Sequence, residues 1–252
     1  MKTILTTLLF FSTLTLFGQV NDADAFFNGS YDRSYIHKHK ILQATVETYV
    51  KGNKTSFALF DFDRNGILTK ETVFESGGKM LNEYTFTYNK YGDQTLRKGI
   101  AYVLNKTYTY TVLFSRTYDG SLLVEEKSSE WPFVTKYLYN LLGKRVQSIT
   151  FINADTTMSA KLFSFYAYDI KGKLRSTQET YAESNNSTPV TSGKTDYIFD
   201  AAGNVATIIR EGKATYEFSY DKTRLLKSKT IKMPEDIDGV TMFDKYYYKF
   251  WK

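Results

Sequence analysis

From Ile41 to the end of the chain, apolar and polar residues alternate with a period of two, as in Ala44 to Val50, Thr55 to Phe62, Ile67 to Phe74, Lys144 to Phe151 and Asn204 to Arg210. That period places apolar side chains on one face of an extended strand, whereas a helix would need a period near 3.6. Turn signals separate the runs: Lys51-Gly52-Asn53-Lys54, Ser76 to Lys79, Leu104 to Lys106, Ser128 to Pro132, Asn153 to Asp155 and Glu211 to Lys213. The pattern predicts about a dozen or more strands of roughly 6 to 10 residues each.

Within this alternation one phrase returns seven times: two aromatic positions one residue apart, then Asp or Asn, then usually Gly. It reads FDFDRNG from Phe60, FTYNKYG from Phe86, YLYNLLG from Tyr137, YAYDIKG from Tyr166 and YIFDAAG from Tyr197. Two variants, YDG from Tyr118 and FSYDKTR from Phe218, have the glycine early or missing. The aromatics share a strand face, the Asp or Asn side chain starts a turn, and Gly accepts a positive φ, so each phrase predicts a strand running into a tight hairpin. Repetition at roughly 20 to 30 residues signals a repeat architecture.

The phrase resembles the YD repeat of the RHS family, and Tyr166 to Leu174 (YAYDIKGKL) carries the resemblance best. The likeness covers about residues 57 to 250. It implies β-hairpins joined into long curled sheets, a cell-surface or shell-forming role and an association with carbohydrate. Two departures stand out: the Arg usual before the Tyr-x-Tyr-Asp core is absent from most units, and the units are too few for a large closed shell. The expected fold is therefore all-β, a single antiparallel sheet of consecutive hairpins, open and curled or solenoid-like.

The ends and the composition refine this. Residues 1–19 carry one Lys, an apolar stretch from Ile4 to Phe17, and Gly18 before Gln19, which reads as a secretory signal peptide. Its ending resembles export signals of Bacteroidota. Residues 20–40 lack clear periodicity and are expected to form an N-terminal arm or a cap, leaving 41–252 as the repeat domain. No other segment is apolar long enough for a spanning helix. Cysteine is absent, which removes disulfides, thiol nucleophiles and thiolate metal sites. The 21 Tyr and 19 Phe, against only 3 Pro, suit extended sheets. The net charge of +6 is interleaved rather than clustered, so a nucleic-acid partner is not expected.

Candidate chemistry is sparse. Asp61, Asp63, Asn65 and Gly66 match the first half of a calcium loop, but its twelfth position is Thr72 and Glu71 falls one residue early, so turn chemistry is the stronger reading. His37 and His39 are the only histidines, too few for a usual metal site. There is no Gly-x-Ser-x-Gly elbow and no phosphate-cradling glycine cluster, so no cofactor and no enzyme are expected. Tyr108 with Tyr110, Tyr166 with Tyr168, Tyr246 with Tyr248, and Trp131 and Trp251, form the candidate ligand-binding set, as stacking platforms for a glycan. Cross-strand packing explains the same residues without any ligand.

Three classes follow. The first is an exported, non-catalytic repeat protein, periplasmic, cell-surface or extracellular, that binds a glycan or another surface protein or acts as a scaffold. The second is an outer-membrane β-barrel, suggested by strand length and aromatic enrichment but opposed by charges within the strands. The third is a secreted hydrolase on a β scaffold, for which no acid pair is visible.

Overall fold

The computed structural model describes residues 33–103, 106–130, 133–152, 161–182, 188, 190–234 and 241–251. They form one helix, α1 (Arg33–Lys38), and sixteen strands among the described residues. These are β1 (Ile41–Val50), β2 (Asn53–Phe62), β3 (Leu68–Glu75), β4 (Met80–Tyr88), β5 (Gln94–Val103), β6 (Lys106–Asp119), β7 (Leu122–Ser128) and β8 (Phe133–Tyr139). They continue as β9 (Arg145–Ile152), β10 (Lys161–Tyr168), β11 (Leu174–Ala182), β12 (Val190–Phe199), β13 (Val205–Arg210), β14 (Ala214–Tyr220), β15 (Leu226–Lys232) and β16 (Thr241–Phe250).

Each strand pairs antiparallel with the next, and β16 returns to pair with β1 from Val50↔Met242 to Ile41↔Phe250. The sheet is therefore a closed up-and-down barrel. This corrects the expected open, curled or solenoid-like sheet, while the all-β class and the consecutive hairpins stand. Closure leaves no strand edge unpaired, and so removes the edge that an open repeat sheet would have to protect.

The physical reason for closure lies in the repeated phrase. The ladder slips its register at the second aromatic in every unit: at Phe62, Tyr88, Tyr118, Tyr139, Tyr168, Phe199 and Tyr220. Such a bulge bends its strand and increases the local twist. The same bend, placed at the same end of successive hairpins, curls the sheet steadily in one direction until its edges meet.

The turns that follow are built alike. Asp63 Oδ1 accepts the backbone N–H of both Asn65 and Ile67 at 2.9 Å, and Gly66 takes a φ of +77°. Asn89, Asn140, Asp169 and Asp221 hold the residues two and four ahead in the same way. At Asp221 the positive φ falls on Arg224 instead of a glycine. All these turns lie on one rim of the barrel, because strands β2, β4, β6, β8, β10, β12 and β14 all run toward it.

Helix α1 sits against this rim. Its Ile36 is fully buried with Ile41, Ala44, Phe62 and Leu225. Tyr35 Oη donates to the Arg224 carbonyl at 2.8 Å and accepts the Leu226 N–H at 3.2 Å, while His37 Nδ1 lies 2.8 Å from the Arg64 carbonyl. Trp251 N–H closes the other terminus onto the Lys40 carbonyl at 2.9 Å.

Candidate functional site

The register sorts the wall into two chemically different faces. On β6, Tyr108, Tyr110, Val112, Phe114, Arg116 and Tyr118 point inward, and Thr107, Thr109, Thr111, Leu113, Ser115 and Thr117 point outward and are exposed. Following the ladder around the barrel, the inward face collects the aromatic phrases, including Tyr137, Tyr166, Tyr197 and Phe218, together with Tyr246 of β16. The outward face mixes Thr, Ser and charge with exposed apolar side chains such as Leu113, Leu138, Phe165, Ile198 and Ile209. Its ion pairs include Lys54 with Glu47 at 2.5 Å, Lys70 with Glu83 at 2.8 Å, Lys194 with Asp196 at 2.9 Å and Lys232 with Glu217 at 2.5 Å.

The interior is not wholly apolar. Arg116 pairs with Glu126 at 2.5 Å and Lys229 with Asp244 at 2.7 Å, all four on the inward face. The Arg145 guanidinium lies 4.0 Å from the centre of the Tyr137 ring and about 6 Å from those of Tyr139 and Tyr166. Burial on the inner wall pushes the Glu71 carboxyl up to about 7, against the pull of Arg97. Burial raises the Tyr137 hydroxyl as well, with Glu126 adding to it.

Four inward tyrosines share one contact that the sequence does not announce. Tyr139 Oη donates to the Leu123 carbonyl, Tyr168 to Arg145, Tyr220 to Val205 and Tyr248 to Leu226, each at 2.8 Å. In the first three the second aromatic of a phrase latches onto the start of the preceding return strand, and Tyr248, in β16 outside the phrases, does the same to β15. The signal that could have revealed it is the preference for Tyr over Phe at that position.

This placement decides most of the sequence-predicted ligand set. Tyr168 and Tyr248 spend their hydroxyls on these latches, Tyr166 Oη lies 3.1 Å from Ser148 Oγ, and Tyr246 is buried. Tyr110 lies over Gly99 in the neighbouring strand, filling the space a Cβ would take, with its ring 6.1 Å from that of Tyr84. Of the set only Tyr108 is broadly exposed, at 53%, while Trp251 lies 5.4 Å from the Arg64 guanidinium, and Trp131 falls outside the described residues. An exposed aromatic platform for sugars is therefore not what these residues build, and the carbohydrate-binding expectation is corrected: the rows face the inside of a closed barrel. In the calcium candidate, Asp61 faces outward and accepts Gln43 Nε2 at 2.6 Å, whereas Asp63 cradles its own turn. No group of three or more potential metal ligands gathers among the described residues.

One cavity of about 390 Å³ opens at the hairpin rim between the turns after β4 and β8. Tyr91, Tyr118, Tyr139, Tyr168, Leu122 and Leu123 line it, and Asp93, Lys144 and Arg145 supply its charges. Tyr91 and Tyr118 stack at 4.3 Å between ring centres, and Tyr118 Oη donates to Asp93 Oδ2 at 2.5 Å.

With this geometry in view, the fold class is that of a closed, antiparallel β-barrel of the kind found in porin-like proteins. The chain is similar to a porin-like protein from Bacteroides uniformis, with 10% identity, 83% of this chain and 98% of that one covered, and a TM-score of 0.50. A porin-like protein from Bacteroides vulgatus (11% identity, 83% and 98% covered) gives a TM-score of 0.35, and the TcdB2-TccC3-Cdc42 complex (12%, 73% and 13% covered) gives 0.26. The last two are too distant to carry an argument. No family model matches the chain, and no curated protein matches it in sequence. The membership in the RHS repeats that the phrase suggested is thus not upheld: the sheet closes on itself within sixteen strands.

Proposed function

We propose that the chain is an exported, water-standing barrel with a binding role, whose working surface is its aromatic inner wall and rim rather than its outside. The observation that carries this reading is the chemistry of the outward face. A lipid-facing barrel presents an apolar band outward and alternates it with polar residues inward. Here the alternation is reversed on β6, and exposed Lys98, Lys136 and Lys194 stand outward near the middle of their strands. A lysine facing lipid at mid-depth costs about 2–4 kcal/mol, and the charges recur around the circumference. Half of the strands, β3, β7 to β10 and β13 to β15, are also shorter than the roughly 9–11 residues that a tilted membrane strand needs.

A second reading, an outer-membrane barrel, is favoured by the likeness to a protein described as porin-like and by the even strand number. No helix among the described residues is long and apolar enough to cross a membrane, which leaves a strand-built span open. Fractionation of native cells separates the two readings. Release of the mature chain by osmotic shock, or its recovery in the medium, is the expected result. Retention in the outer membrane through carbonate washing until detergent is added would overturn the water-standing barrel in favour of the second reading.

A further inference from the structure

The cavity at the hairpin rim exists because one repeat unit is short. In a regular unit, Tyr139 pairs with Arg145, six residues on, across a turn in which Asn140 cradles Leu142 and Lys144. In the deviant unit, Tyr118 pairs with Leu123, five residues on, and the reversal is made by Gly120 and Ser121 alone, with Gly120 at a φ of +59°. The rim is one residue lower there, and the full-length turns on either side stand over the gap. What they leave is a notch of about 390 Å³, within the range of small-molecule sites.

We propose that this notch is a binding site for a small, flat aromatic compound carrying an anionic group. The shape argument rests on the tyrosines. Tyr91 and Tyr118 are already stacked, with a 29° interplanar angle, and Tyr139 and Tyr168 are anchored by their latches to Leu123 and Arg145. Four anchored rings that line the notch together with Leu122 and Leu123 offer a planar guest aromatic faces and edges, with little side-chain ordering left to do. Tyr118 itself is pinned on two sides, donating to Asp93 and accepting Asn89 Nδ2 at 2.7 Å.

The charge argument rests on Lys144. Among the described residues its ammonium has no carboxylate within ion-pair distance; it lies 6.0 Å from the Tyr168 ring centre and close over Gly172 of the next turn. Its counterpart one unit on, Lys173, donates to the Gly203 carbonyl at 3.0 Å and so is committed to the neighbouring turn. Lys144 reaches the neighbouring turn at Gly172 without a hydrogen bond to it, Arg145 also lines the notch, and the one carboxylate of the lining, Asp93, is engaged by Tyr118. An anion on the guest's edge therefore meets Lys144 first. The proposal stands whether the barrel lies in water or in a membrane, since the notch is on the rim.

The test uses 8-anilino-1-naphthalenesulfonate as a probe, titrated by fluorescence against the folded full-length mature chain. The expected result is saturable binding at one site, weakened roughly tenfold or more by Lys144→Glu and weakened further as salt rises. Exchange of Gly120-Ser121 for an Ala-Ala-Gly tip, copied from residues 201–203, restores the rim height and is expected to abolish binding. Because the graft can disturb folding, each variant is checked by circular dichroism, and Lys144→Glu stands alone if the graft fails. Leu141, exposed at 106% beside Leu142 of the lining, offers the probe an apolar contact outside the notch. Loss of binding in a Leu141→Ser variant with unchanged binding in Lys144→Glu would overturn the proposal, as would the absence of saturable binding to the unaltered chain.

Discussion

The Tyr168 hydroxyl donates to the backbone carbonyl of Arg145 at 2.8 Å, tying the end of β10 to the start of β9 from inside the barrel. The same bond recurs at Tyr139, Tyr220 and Tyr248, so the aromatic phrase is a fastening between hairpins as well as a packing unit. Tyr168→Phe removes one donor and strands a partly buried carbonyl, with an expected loss of about 1–2 kcal/mol. Tyr108→Phe, at an exposed inward-facing position near the other rim, is expected to change stability by less than about 0.5 kcal/mol. Urea unfolding of both variants checks the contrast.

Arg116 and Glu126 are paired inside the wall, and both are almost wholly buried. Glu126→Ala leaves an uncompensated guanidinium in the interior, with an expected cost of about 3–5 kcal/mol, whereas replacing both partners by apolar residues of similar volume is expected to be nearly neutral. A double-mutant cycle in denaturant separates the two outcomes.

Glu71 ties stability to pH. Its carboxyl titrates near 7 in the folded chain and near its ordinary 4.5 when unfolded, so between these values the folded state holds more protons. A group of this kind favours the fold below 4.5 and loses that advantage as pH rises toward 7, where it must ionise in a buried site. The stability of the unaltered chain relative to Glu71→Gln is therefore expected to fall from pH 4.5 to pH 7 and to level off above it. A rising or flat difference would contradict the assignment.

Gly66 and Gly52 both take positive φ, yet their surroundings differ. A Cβ on Gly66 would collide with the Arg33 carbonyl and lie 2.8 Å from the His37 amide, whereas nothing lies within 4 Å of one on Gly52. Gly52→Ala is expected to cost about 1–2 kcal/mol from left-handed backbone strain. Gly66→Ala adds the displacement of α1 and is expected to cost clearly more, with faster hydrogen exchange at the 37–40 amides. Ile36→Ala, which empties the fully buried anchor of the same helix, is expected to cost about 2–5 kcal/mol.

The strands, the hairpins and the Asp or Asn turns were legible in the chain because each depends on residues a few positions apart. A period of two can only be a strand, and a side-chain oxygen two residues ahead of an amide makes the turn locally. The short turn at Tyr118 was likewise visible as a deviant phrase, but not that its neighbours would stand over it and enclose a cavity. Closure was hidden for a related reason. It is the sum of one small bend per unit, at Phe62, Tyr88, Tyr118, Tyr139, Tyr168, Phe199 and Tyr220, and no single unit reveals whether the accumulated curl brings β16 back to β1. The alternation likewise separated the two faces of each strand, but which face looks inward was decided only when the sheet closed. Once it had, the tyrosine rows that read as an exposed platform became the inner wall, and the threonines and ion pairs, with apolar side chains such as Leu113 and Phe165 among them, became the outside. The sequence determined the strand and the turn; the tertiary structure alone decided inside from outside, because that distinction exists only for a sheet without edges.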